Sequence, residues 1–123
     1  MNDKPKIVCL CGSTRFGDAF REAQFKETMK GKIVLTIGCN MKSDEDLFSG
    51  YTDEQKKFIK IKLDKLHLRK IDLADEVLIL NIGGYIGEST QNELNYALSQ
   101  NKSVRYLEYP KRYVSNSCEA SMI

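Results

Sequence analysis

One stretch governs what this chain can fold into: DEVLILN at residues 75–81, then IGGYIGEST, then a helical pattern running to Lys102. The apolar run is too short for a helix and is bounded by polar residues, the mark of a strand buried inside a parallel sheet. Gly83, Gly84 and Gly87 permit a sharp turn and a close backbone approach to a ligand. Ser89 or Thr90 is expected to cap the next helix, whose apolar positions Leu94, Ala97 and Leu98 recur at helical spacing. Open α/β sheets bind ligands at the carboxyl ends of their strands, where helices begin with unpaired N–H groups. Glu93 falls about one turn into this helix, so its carboxylate is the first candidate for chemistry.

The rest of the chain repeats the same rhythm. KIVCLC at residues 6–11 predicts a first strand, residues 18–30 a helix stopped by Gly31, and KIVLTIG at 32–38 a second strand. Residues 39–52 are polar and loop-like, a candidate flap over the site; Asp44, Glu45 and Asp46 within it lack the remaining pattern of a calcium loop. Residues 53–74 predict a long amphipathic helix with apolar positions from Phe58 to Leu73 and a lysine-rich face turned to solvent. KSVRYLEY at 102–109 predicts the fourth strand, ended by Pro110. Residues 110–123 show no period and read either as a frayed tail or as a segment completing a neighbouring subunit's site. The alternation of strand and helix predicts one domain over residues 1–123: a three-layer, doubly wound, Rossmann-like parallel sheet of about four to five strands, with right-handed crossovers.

Composition narrows the function classes. A net charge of +2 is too small to argue for nucleic acid or a membrane surface. No apolar run approaches the roughly 20 residues of a membrane helix, and no signal core follows the start, so a cytoplasmic protein is expected. With a single histidine and no CxxC pair, the four cysteines Cys9, Cys11, Cys39 and Cys118 read as free thiols in a reducing compartment, and no metal or cofactor is expected. Cys9 and Cys11 alternate within the first strand and share one face of it.

Two turns carry the chemistry. Gly12, Ser13, Thr14 and Arg15 offer a glycine, two hydroxyls, the N–H groups of a helix start and a guanidinium, which together suit a phosphate; equally, Ser13 or Thr14 merely caps the helix and Arg15 is a surface charge. The second turn holds Gly84, Tyr85, Gly87 and Ser89, with Tyr85 placed to stack on a base. Following different strands of one parallel sheet, both turns open at the same edge, within a nucleotide's length of Glu93. A carboxylate there can attack an anomeric carbon or stabilise an oxocarbenium ion; otherwise it only favours the helix dipole. His67, late in the long helix, is either an ordinary helix residue or, if it faces the sheet edge, a proton donor to a leaving base, a part open to Asp72 as well.

With CLCGSTRFG, GKIVLT, ADEVLIL and NELNYALSQNK in this order, the chain resembles the nucleoside 2-deoxyribosyltransferase superfamily from Lys6 to Glu108, and within it the 2′-deoxynucleoside 5′-phosphate N-hydrolases. The resemblance implies a flavodoxin-like fold, a homodimer or higher homo-oligomer, and cleavage or exchange of an N-glycosidic bond in a nucleoside 5′-monophosphate. It implies that Glu93 is the catalytic glutamate and that Gly12, Ser13 and Arg15 form the 5′-phosphate turn. Cys9 stands where that family has a tyrosine, and His67 where it has a helper aspartate. Hydrolysis is the first expectation, with sugar transfer to a second base and nucleotide binding without turnover as alternatives.

Overall fold

The computed structural model describes residues 4–37 and 49–108. The expected flap at 39–52 lies mostly outside the described residues, as do Cys39, Cys118, the acidic run at 44–46 and the tail at 110–123.

Four parallel strands form one sheet: β1 (Ile7–Cys11), β2 (Ile33–Leu35), β3 (Glu76–Ile79) and β4 (Ser103–Tyr106), in the order β2-β1-β3-β4. Helix α1 (Gly17–Met29) connects β1 to β2, α2 (Asp53–Leu73) precedes β3, and α3 (Glu88–Ser99) links β3 to β4. The expected α/β sheet is therefore present, with four strands and somewhat shorter spans than the sequence suggested. Its order is that of flavodoxin-like sheets, in which the strand order reverses between β1 and β3.

Strand alternation builds both faces at once. Val8 and Leu10 point to one side, where they pack with Phe20 and Ala23 of α1 and with Leu78 and Leu80. Cys9 and Cys11 point to the other, where they meet Ile71 of α2, Leu94 and Ala97 of α3, and Val77 and Ile79. The register pairs Cys9 with Val77 and Cys11 with Ile79, so β1 is buried on both faces and both edges.

The helix ends follow local chemistry. Gly31 takes a positive φ of 85° after the last residue of α1, as a C-terminal glycine should. Thr52 and Gln55 form a reciprocal capping box at the start of α2. At its other end Lys102 Nζ donates to the carbonyls of Asp72 and Ala74. Helix α2 departs from the expected amphipathic pattern: only His67 and Ile71 are buried, while Phe58, Ile61, Leu63, Leu66 and Leu73 are exposed, because its apolar residues are spread around the helix instead of lying on one face.

On the α1 face, an ionic cluster covers the part of the sheet that α1 leaves open. Arg105 donates to Glu27 at 2.6 Å and to Glu76 at 2.9 Å, and Lys32 Nζ lies 3.2 Å from Glu27 and 2.8 Å from Glu76. Burial pushes both carboxyl groups up, but the hydrogen bonds from Arg105 and Lys32 outweigh it and hold them below the ordinary range. Their contribution to stability is thus present above the unfolded glutamate value of about 4.3 and is lost as pH falls through the lower folded values. Denaturant unfolding measured from about pH 7 to about pH 3 is expected to show this acid loss, with a flatter profile in the Glu27→Gln, Glu76→Gln double variant. An unchanged profile would show that the cluster carries no such linkage.

Candidate functional site

The core-facing stripe of α3 consists of Thr90, Glu93, Leu94 and Ala97. Glu93 occupies a position where a hydrophobic residue would ordinarily pack, and it is only 9% exposed. The stripe of α2 likewise carries His67 one turn before Ile71. Both polar side chains therefore reach the same patch of sheet, the face bearing Cys9 and Cys11.

There they converge. His67 Nε2 lies 3.6 Å from Cys9 Sγ, 3.3 Å from Cys11 Sγ and 3.9 Å from Glu93 Oε1. Neither Glu93 Oε1 nor His67 Nδ1 has a hydrogen-bond partner, although both atoms are buried. The cluster's electrostatics follow from packing. The hydrogen bond from Cys11 lowers the pKa of Cys9 against the opposing effect of burial, and His67 adds to the lowering. The Cys11 thiol is pushed up by that same interaction, by burial and by the Cys9 and Glu93 charges. Burial lowers His67, but Cys9 and Glu93 raise it further than burial lowers it. Glu93 is raised by burial, which outweighs the opposing influence of His67 and Cys11.

The two glycine turns meet beside this cluster, at the carboxyl edge where β1 and β3 diverge. Gly12 follows Cys11 directly and packs so closely that a Cβ would stand 3.1 Å from Leu80 Cβ and 3.2 Å from its carbonyl oxygen, so only glycine fits without a shift. Ser13 Oγ accepts from Arg15 N at 3.3 Å and caps a short 3-10 turn at Thr14–Phe16. The Arg15 guanidinium lies 4.5 Å from the centre of the Tyr85 ring, Nη2 is 3.4 Å from Tyr85 Oη, and Phe16 meets the same ring edge-on. The turn after β1 and the turn after β3 are thereby in direct contact.

The second turn differs from expectation in its cap. Gly87 is the N-cap of α3 and makes no side-chain bond, while Ser89 and Thr90 lie inside the first helical turn. The glycines play unequal parts. Gly83 and Gly84 adopt positive φ values of 63° and 83°, whereas Gly87 has an ordinary backbone but leaves room for Tyr85 Oη, 3.0 Å from where its Cβ would be. Asn81 exchanges two hydrogen bonds with the backbone of Glu108, and the Glu108 carboxylate accepts from Gly83 N at 3.1 Å.

The sequence-derived residues therefore form two neighbouring groups. Gly12, Ser13, Thr14 and Arg15 on the first turn and Gly84, Tyr85, Gly87 and Ser89 on the second are joined through Arg15 and Tyr85, and Glu93 and His67 meet at the buried thiols of β1. Asp72, the other candidate proton donor, instead accepts from Tyr96 Oη at 2.6 Å and pairs with Arg69, with its side chain 37% exposed. The sequence alone gives Cys9 and Cys11 as free thiols, without a place in the site. No signal in the sequence joins them to His67, which lies more than 50 positions away. No protein-family model matches the chain, and no curated protein sequence matches it.

Ultraviolet titration of thiolate absorbance checks the cluster's electrostatics. One buried thiol is expected to ionise well below the ordinary thiol range, and His67→Ala is expected to move that step upward by removing the imidazole that, after Cys11, helps hold the Cys9 charge. An unaltered titration in the variant would contradict the assignment.

Proposed function

We propose that this protein is an N-glycosidase that cleaves the bond between base and sugar in a nucleoside or deoxynucleoside 5′-monophosphate. The observation that supports the reading is a buried carboxylate, Glu93, beside Cys11 at the end of β1, the strand that leads directly into a turn with the composition of an anion cradle. The resemblance of CGSTRFG and ADEVLIL to the deoxynucleoside 5′-phosphate hydrolases supports the same assignment.

In this reading the phosphate sits on the Gly12 to Arg15 turn, where Ser13, Thr14 and the Arg15 guanidinium supply donors. The bound phosphate draws Arg15 away from the Tyr85 ring, which becomes free to stack on the base or sugar. Gly84, Gly87 and Ser89 line the neighbouring turn. Glu93 attacks the anomeric carbon as the base departs with the bonding electron pair, and water then releases the sugar phosphate and regenerates the carboxylate. His67, being buried against the thiols, acts through Glu93 as a positioning residue in place of the proton donor envisaged from the sequence. No cofactor enters this scheme.

The protein is further proposed to work in the cytoplasm as a homodimer. Among the described residues no helix is long and apolar enough to cross a membrane. Leu63, Leu66 and Leu73, spaced by three and seven positions along α2, give a second copy an apolar stripe to cover. Sedimentation is expected to give twice the chain mass, and Leu66→Glu to give a monomer; a monomeric wild-type chain would exclude the pairing.

Incubation with a panel of ribo- and deoxyribonucleoside monophosphates, with chromatography of the free base, tests the activity. Glu93→Ala is expected to slow base release on the order of 10³-fold. Arg15→Ala is expected to raise KM about tenfold for monophosphates, the equivalent of about 1.4 kcal/mol, while leaving free nucleosides unaffected. Base release that persists unchanged in Glu93→Ala would refute the role given to that carboxylate. Tight nucleotide binding with no base release from any member of the panel would replace catalysis with sensing.

A further inference from the structure

The cluster at the buried thiols of β1 contains more directed polar groups than hydrogen bonding can satisfy. Two thiols and one carboxylate oxygen surround the single ring nitrogen His67 Nε2, at 3.3, 3.6 and 3.9 Å. One ring nitrogen carries at most one proton or accepts one, so at most one of those contacts is a full-strength hydrogen bond. Glu93 Oε1 is left unpartnered and buried, at an ordinarily substantial cost. Groups of this kind aimed at one point are what a cation requires.

We propose that Cys9, Cys11, His67 and Glu93 constitute a binding site for a borderline-soft divalent cation, with zinc(II) the best fit. The site shares Glu93 with the nucleotide reading but does not rest on it: a carboxylate that ligates the ion is not free to attack an anomeric carbon, so Glu93 serves one role at a time.

The donor set and the spacing both favour that ion. Two sulfurs with one imidazole select zinc over the hard, oxygen-seeking calcium and magnesium. Bonds of about 2.3 Å to sulfur and about 2.05 Å to nitrogen give a tetrahedral sulfur-to-nitrogen edge of about 3.6 Å. The observed separations are 3.6 and 3.3 Å, and the two sulfurs and the ring nitrogen lie within 4.8 Å of one another. The corresponding nitrogen-to-oxygen edge is about 3.3 Å, so Glu93 Oε1, at 3.9 Å, closes the fourth position with a movement of about half an ångström, less than a side-chain rotamer change.

The scaffold is equally suited. Cys9 and Cys11 are held two residues apart on a strand buried on all sides, and His67 and Glu93 project from two different helices packed on that strand. The ligands thus come from rigid elements, as a preorganised site needs. Coordination takes both sulfurs as thiolates and the imidazole neutral at Nε2, with any remaining protons released to solvent. The two thiolates balance the charge of the ion, and the Glu93 carboxylate leaves the filled site one unit negative. CxC spacing alone would not reveal such a site, because the third and fourth ligands are supplied 56 and 82 residues beyond Cys11, counting from the sequence.

The test uses the full chain, stripped with a chelator and kept reduced with a phosphine. Zinc(II) titrated against a chromophoric competitor is expected to bind one ion per chain with a Kd on the order of nanomolar or below. Cobalt(II) is expected to give a thiolate-to-metal charge-transfer band and the strong visible bands of a tetrahedral centre. Cys9→Ser and Cys11→Ser should each weaken zinc by at least about 100-fold and diminish the charge-transfer band, whereas Glu93→Gln should keep that band and weaken binding about tenfold. The Cys39→Ser, Cys118→Ser double variant should bind like the wild type. Circular dichroism identifies any cysteine variant that fails to fold. In that event His67→Gln and Glu93→Gln decide, and zinc should raise the wild-type melting temperature but not that of His67→Gln. Affinity no tighter than micromolar, or affinity that depends on Cys39 and Cys118 instead of Cys9 and Cys11, overturns the proposal. Because both readings use Glu93, base release is assayed on the chelator-stripped chain and zinc binding in the absence of nucleotide, so that failure of one is read apart from failure of the other.

Discussion

The alternation of side chains along β1 is the constraint from which the rest of the structure follows. Because successive residues of a strand face opposite ways, Val8 and Leu10 belong to the α1 layer and Cys9 and Cys11 to the layer of α2 and α3. A shift of one residue in register would exchange these sets, placing sulfur against Phe20 and removing it from His67. Two parallel neighbours fix the register, with Cys9 opposite Leu35 on one side and Val77 on the other. The same pairing sets where the strand ends, hence where the Gly12 turn begins. Fold and site therefore share one determinant.

The polar groups of the two faces show how similar residue types come to different ends. Glu27 and Glu76 are buried carboxylates, but each meets Arg105 and Lys32, so their charge is matched and their pKa values fall. Glu93 is buried to a comparable degree, yet its nearest counter-group is an imidazole 3.9 Å away, and its pKa rises. The first arrangement holds layers together. The second leaves a carboxylate with unspent capacity, the usual condition of a group kept for a ligand or a reaction.

Much of this was legible in the residues. The apolar runs at β1 and β3, the glycine after α1 and the βαβ rhythm led directly to a parallel sheet, since those signals are local. Glu93 was also legible as a candidate, because it falls about one turn into the helix that follows β3, at the carboxyl end of a parallel strand. The position of His67 was not: its burial depends on where the long α2 helix crosses the sheet, and a helix with apolar residues all around it does not announce its core-facing side. The cap of α3 was misread because Ser89 and Thr90 are good capping types, while the backbone conformation that decides the cap belongs to Gly87. The convergence of Cys9 and Cys11 with His67 rests on contacts between residues more than 50 positions apart, which no single-sequence pattern encodes.

One small contact sets a polarity across the edge of the sheet. The carboxylate of Glu108 already rests on the backbone N–H of Gly83, held there by the two-way exchange between Asn81 and the Glu108 main chain. The side of the edge beyond β3 is thus supplied with negative charge, while the side beyond β1 presents Arg15. A molecule anionic at one end and neutral at the other would meet attraction on one flank and repulsion on the opposite flank.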